Sequence, residues 1–487
     1  MLNNDLEKIF AKIEPDAALE NRIIERMEAK EMKKSTKRNV RHLIAVAACV
    51  AVAGISTAFA AGNVISYFQS DKAVELTSME ELSLYNEEIG KSFSKDGYTL
   101  TLDNIAADDN FIHVFYTIKS DSVPFYEGDN TRTYMLSDGS PNPQMDIQVV
   151  INGQLAGFES NHNTTEGYFA DNYTYKAAEK YNIASLDIPD NFKVEIFGEL
   201  VDDNFDWENS AYSRLFKMGD TTVDISDEDK ASLWYVSADV DKSQVKVNSV
   251  TKEVNAKLPW VDGGTLEKVV FSPFGNQLVI STEEGSDPEA ALRIDLMALF
   301  DENGTCLDVL NTDLCGGVSG SSKNAIEFMK ANKDTKKLKL VPVKFEDHGD
   351  CGDIVLPVGN YPQRYEINNN GAVVVTDVRF KDGQVEIDYY KDGFVMFDPG
   401  FRLMDDNGEN AEPGGKLGCV LYTDVHYNTN SYTARYVYDA REDDGKPIPM
   451  DDSVKAENLK NKITKLGIVE QKYINLDNDN ALEVDLK

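Results

Sequence analysis

Over most of the chain, apolar and polar residues alternate in short runs broken by Gly, Asn and Asp. This is the pattern of antiparallel strands with one buried face. Three pairs of runs read as hairpins. Residues 98–105 and 111–118 flank a polar turn at Asp108, Asp109 and Asn110. Residues 266–271 and 277–282 flank a turn at Ser272, Pro273, Phe274 and Gly275. Residues 374–380 and 384–389 flank Lys381, Asp382 and Gly383, and Asp-Gly between alternating runs is a strong hairpin signal. Each pair is followed by a strand that ends on Asn-Gly: Asn152 and Gly153, Asn303 and Gly304, Asn407 and Gly408. The same order of pieces three times predicts related domains. The second and third hairpins lie about 107 residues apart, close to the length of one immunoglobulin-like sandwich. The first and second lie about 168 apart, which predicts an insertion over 165–235. Helical patches are expected at 78–85, 176–180 and 323–330.

One run breaks the alternation. Residues 43–61 are nineteen residues without a charge, preceded by Lys33, Lys34, Lys37, Arg38 and Arg41. An apolar helix of ~20 residues crosses a hydrocarbon core of ~30 Å, and the basic flank stays on the cytoplasmic side. The expectation is a single-pass membrane protein, N-terminus inside and bulk outside. Ala58, Phe59 and Ala60 also form the small-x-small pattern of a signal-peptide cleavage site; the long basic region ahead of the run argues against that reading. A buried core helix would leave the flanking charge asymmetry a coincidence.

The domain plan is therefore a cytoplasmic helical segment 1–42, a transmembrane helix 43–62 and a stalk 63–91. A first extracytoplasmic β domain with an insertion follows at 92–250, a second immunoglobulin-like domain at 251–370 and a third β domain at 371–487. The fold class is mainly β: one N-terminal transmembrane helix and two or three immunoglobulin-like sandwiches. In the inner segment Leu6, Ile9, Phe10 and Ile13 share one helix face, and Leu19, Ile23, Ile24 and Met27 form a second stripe after Pro15. Helices this short are marginal alone in water, so these stripes are expected to dock on a partner.

Charge sharpens the plan. The chain has 49 Lys+Arg and 84 Asp+Glu, a net charge of −35. Residues 1–42 hold 10 basic and 8 acidic residues, so the acidity belongs to the outer part. Such a surface disfavours nucleic acid, whose binding needs Lys and Arg against phosphates. It favours solubility. Cys306, Cys315, Cys351 and Cys419 lie where disulfides persist, and three connectivities stay open.

Chemistry is sparse. The five His are scattered, and the chain has no H-E-x-x-H, no G-x-S-x-G and no phosphate-binding Gly loop. No cofactor motif and no catalytic constellation is visible, so the expectation is not an enzyme. The acidic loop at 346–353 reads as a solvated loop, while those at 202–208 and 477–480 resemble calcium-friendly loops, with structural calcium at one of them an open alternative, although neither has EF-hand spacing. Trp207, Trp234 and Trp260 read as core or packing residues.

Four features carry a resemblance: Leu6 to Phe10, the basic run, the Ala-rich span, and residues 93–102 leading into 110–119. Together they resemble a bacterial family catalogued as domain of unknown function 4179 and described as anti-sigma-factor-like. Residues 234–243 look like the closing strand of that domain, and 266–275 resemble the opening of an immunoglobulin-like companion. The resemblance implies a regulator whose inner segment holds a sigma factor and whose outer domains respond to an envelope ligand. Leu6, Ile9, Phe10, Ile13, Ile23 and Met27 are then the partner-binding residues. The His/Cys signature of zinc-containing anti-sigma factors is absent. The alternative is an anchored cell-surface binding or structural protein without a signalling role.

Overall fold

The computed structural model describes residues between 86 and 486, with breaks of which the longest are 126–144, 156–164, 201–209, 284–295, 314–322 and 440–451. The inner segment, the apolar run and the patch at 78–85 lie outside the described residues, apart from the last residue-by-residue margin of the stalk from 86 onward. Among the described residues no helix is long and apolar enough to cross a membrane. The described chain is mainly β, arranged as several antiparallel sheets that face one another in pairs.

In the first pair, β1 (Asn86–Lys95), β2 (Tyr98–Ala107), β3 (Phe111–Ser120), β7 (Thr174–Asn182) and β6 (Thr165–Asp171) lie side by side in that order. Opposite them run β5 (Gln154–Leu155), β4 (Met145–Ile151), β8 (Asn191–Leu200) and β9 (Trp234–Asp241). Both sheets feed one core: Leu100, Leu102, Ile112, Val114, Val149, Val194, Ile196 and Trp234 are all buried in it. In β9 the alternation is plain, with Trp234, Val236, Ala238 and Val240 inward. A register shift between Leu102 and Asn104 resets the alternation, which lets Leu102 and Ile105 share the core although three residues apart.

The second pair repeats this plan. β10 (Val250–Lys257), β11 (Thr265–Ser272), β12 (Gly275–Ser281), β16 (Lys323–Phe328) and β15 (Val309–Asp313) form one sheet. β14 (Cys306–Leu307), β13 (Met297–Asp301) and β17 (Lys337–Phe345) begin the other. In the third pair, β19 (Gln363–Asn368), β20 (Gly371–Lys381), β21 (Gln384–Gly393), β24 (Ser431–Asp439) and β23 (Gly418–His426) face β18 (Asp353–Pro357), β25 (Lys465–Val469) and β22 (Phe401–Met404). Besides the short helix α1 (Asp227–Ser232), the helix α2 (Asp452–Lys462) and the turn after it add Leu459 and Ile463 to the third core. All three expected hairpins form, as β2–β3, β11–β12 and β20–β21. The Asn-Gly turns recur too: Gly153, Gly304 and Gly408 have φ of 77°, 79° and 83°, the left-handed region open to Gly without strain. The architecture is the two-sheet sandwich. Its strand order keeps three consecutive strands in one sheet, unlike the four-and-three division of constant-type immunoglobulin domains.

Two expected helices are strands. Residues 176–180 lie in β7, where Tyr175, Ala177 and Tyr181 form one inward row at period two; the local Ala-Ala pair gave way to this tertiary burial. Residues 323–328 form β16, buried on both faces, so alternation is masked in the sequence. Likewise β6, β7 and β8, drawn largely from the stretch expected as an insertion, are sandwich strands with counterparts β15, β16 and β17.

The closing strands are exchanged between the second and third sandwiches. In the first sandwich the chain leaves β8 and returns as β9, which pairs with β8. β17 holds the place of β8 in the second sandwich, but the chain leaving it crosses to the third, where β18 pairs with β25. β25 holds that place in the third sandwich. The chain leaving it crosses back, and β26 (Ile474–Leu476) and β27 (Leu482–Asp485) pair with β17. These two sandwiches are interlocked, and the expected boundary near 370 is crossed by both closing strands.

Candidate functional site

The densest chemistry in the described chain lies where sandwiches meet. The two polar turns legible in the sequence dock on each other. Asp108, in the turn between β2 and β3, is fully buried. Its Oδ1 accepts the backbone N–H of Asn110 and of Phe111, each at 2.8 Å, which shapes its own turn. Its Oδ2 accepts the N–H of Phe274 at 2.8 Å, from the β11–β12 turn of the second sandwich. Asn110 answers with Nδ2, donating to the carbonyls of Val270 (3.0 Å) and Gly275 (2.7 Å). The Phe274 ring meets His113 edge-on at 4.8 Å. Burial pushes the Asp108 carboxyl up to about 6, against the pull of its hydrogen bonds from Ser272, Phe111, Phe274 and Asn110.

A second contact joins three sandwiches. Lys180 on β7 places Nζ 2.7 Å from Glu327 Oε1 on β16. The same Nζ lies 3.0 Å from the Tyr427 hydroxyl, in the turn after β23, and 3.7 Å from the centroid of the Phe111 ring. The Tyr427 hydroxyl donates to Glu327 Oε1. Both charged side chains are 11% exposed, so each neutralises a charge that burial would otherwise make costly.

A third contact joins the second and third sandwiches. Asp308 Oδ2 accepts the Tyr432 hydroxyl at 2.8 Å and pairs with Lys330 Nζ at 3.0 Å. Lys330 also donates to the Lys391 carbonyl at 2.9 Å. Beside this pair lies Cys306, a free, buried thiol pushed up to about 12 by burial and the charge of Asp308.

Chemically these are fasteners. Each carboxylate is engaged by donors from two or more elements, which fixes the mutual orientation of the sandwiches. Among the described residues no group of three or more His, Cys, Asp or Glu is placed to hold a metal. At the acidic loop 477–480, Asp477 is taken by Lys344 at 2.7 Å and by Asn480 at 2.7 Å. Residues 202–208 and 347–351 lie outside the described residues, as do Cys315 and Cys351. The expected partner-binding residues Leu6, Ile9, Phe10, Ile13, Ile23 and Met27 lie outside them as well. Trp234 is in the first core, and Trp260 packs against the second. Sequence reasoning missed Lys180, Glu327, Asp308 and Lys330. For Lys180 and Glu327 the one available signal was a charge set among apolar residues of a strand.

The fold and its contacts define a class: a β protein of repeated two-sheet sandwiches joined by buried polar contacts. Within it, residues 34–120 match the family described as Domain of unknown function (DUF4179), the family that the sequence resembled. The matched segment starts in the basic run, covers the apolar run and ends with β3. No curated protein matches the chain. Among solved structures, the crystal structure of the conserved domain protein from Bacillus anthracis is similar at 14% identity and a TM-score of 0.30, over 58% of this chain and 84% of that one.

Proposed function

We propose that the chain is a membrane-anchored extracytoplasmic regulator of the anti-sigma-factor-like kind. Residues 43–62 cross the membrane. The short inner segment binds a sigma factor through Leu6, Ile9, Phe10, Ile13, Ile23 and Met27, as amphipathic helices laid in a groove. The immunoglobulin-like sandwiches meet an envelope ligand outside. The observation that carries this reading is the extent of the family match: one continuous unit, 34–120, takes in the basic flank, the apolar run and the first three strands. A family unit bounded that way treats the span and the outer sheet as parts of one device. The charge asymmetry across residues 30–69 supports the orientation. The test is capture with the full-length chain in membranes. The wild type is expected to retain a sigma factor, and Phe10→Asp with Ile13→Asp to lose it. Equal recovery by both, or none by either, overturns the reading in favour of an anchored binding protein.

A further inference from the structure

The closing strand of the second sandwich differs in kind from that of the first. β9 is a continuous strand of eight residues that returns to β8 within the same sandwich. The edge of β17 is closed by two short pieces, β26 of three residues and β27 of four, that arrive from beyond the third sandwich. The break between the pieces has a local cause. β27 pairs with 337–340 and β26 with 343–345, and between them stands Pro342, which has no N–H to give a ladder. The segment turns away there, through a 3-10 turn at Asn478–Asn480.

The two partners are also matched in charge. In a chain of net charge −35, β17 carries Lys337, Lys339 and Lys344. The incoming segment sets Glu483 against Lys337 (3.4 Å), Asn478 against Lys339 (3.1 Å) and Asp477 against Lys344 (2.7 Å). Its apolar residues enter the interior: Val484 and Leu486 join the second core, and Ile474 joins a cluster with Cys306, Val341 and Phe394.

We propose that the edge of β17 is a strand-binding site of the second sandwich, whose ligand is an extended acidic segment with alternate apolar residues. Residues 474–486 are its tethered, exchangeable occupant. Backbone pairing supplies affinity, while the lysines and the apolar pockets supply selectivity, as in other cases of strand addition. An edge left open here would be a template for pairing with another chain, which gives the occupant a protective role. This inference rests on the strand exchange alone and is independent of the sigma-factor reading.

The test uses the full chain with Val484→Asp, which puts a carboxylate where the occupant enters the core. Amide exchange in β13 and β17 is expected to speed up by about a hundredfold or more, while β20 and β21 stay slow. A labelled synthetic peptide of residues 470–487 is expected to bind the variant at least about tenfold more tightly than the wild type. It should restore slow exchange in β17 and bind more weakly as salt rises. Unchanged exchange in β17, or no peptide binding while β20 and β21 remain protected, overturns the proposal. Should Val484→Asp unfold the whole chain, the same titration on Val484→Ala decides: peptide uptake above the wild type supports the site, and uptake equal to it refutes it.

Discussion

Asp108 gives the sharpest test of how the first two sandwiches are joined. Its carboxyl is buried between two turns and titrates near 6, against 3.8 for an ordinary aspartate. The sign follows from linkage. Below pH 3.8 the group is protonated whether the chain is folded or not. Between 3.8 and about 6 the unfolded chain has lost the proton that the folded chain still holds, so stability falls as pH rises. The loss is complete above about 6 and amounts to about 3 kcal/mol, at ~1.36 kcal/mol per pH unit. The isoelectric point near 4.5 makes solutions above pH 5 the practical range. Between pH 5 and 7.5 about 1.4 kcal/mol of that loss should be visible. The Asp108→Asn chain lacks this titration. Urea unfolding of both chains, followed at the transition of the first two sandwiches, therefore predicts that the advantage of the wild type over Asp108→Asn shrinks by about 1.4 kcal/mol across this range. Groups that titrate alike in both chains cancel. An advantage that grows with pH would show the ionised carboxylate to be the favoured form, held by its backbone N–H donors, and would refute the burial argument.

Lys180→Met strips the charge from a buried pair and leaves Glu327 uncompensated, at an expected cost of about 3–5 kcal/mol in thermal or urea unfolding; Lys180→Met with Glu327→Met should recover much of it. Gly275→Ala places a Cβ 2.7 Å from the Phe111 ring and 2.8 Å from Glu327 Oε1, at a φ of +148°. It is expected to cost about 1–3 kcal/mol and to loosen the first two sandwiches together, read by amide exchange at β3 and β12. The thiol of Cys306 should resist maleimide at pH 8 in the folded chain and react fully in urea, since only the thiolate attacks and burial withholds it.

Much of the fold was legible because its strands obey period two. The alternation in 98–105 and 234–240 survives as rows of inward residues, and the Asn-Gly turns at 152, 303 and 407 were readable because left-handed backbone selects Gly. What failed did so for two reasons. In β7 a helix-favouring Ala-Ala pair masks an inward row at period two, and β16 is buried on both faces, so its alternation disappears. The polar contacts between sandwiches hid behind the same strands. Lys180 and Glu327 look like ordinary surface charges until the sheets are stacked. The strand exchange had no local signature at all. Which sheets β18 and β26 join is decided by the crossings between sandwiches, not by the local sequence.

Both kinds of joint bear on how the outer part would act as a sensor on the proposed reading. A flexible string of domains absorbs a ligand's effect in its linkers. Here the turn at 108–110 is bonded into the second sandwich through the side chains of Asp108 and Asn110, so rotation at that joint would break buried hydrogen bonds. The second and third sandwiches share their closing strands, so they cannot separate without opening both sheets. Lys180, Glu327 and Tyr427 then tie the first sandwich to both of the others. A load placed on the third sandwich reaches β1 through strands and buried pairs rather than through slack chain. Strand opening at β17 needs no buried charge pair to break within the first sandwich. On the proposed reading, the exchangeable segment 474–486 is then a place where the sandwiches can change state without breaking the joints to the first.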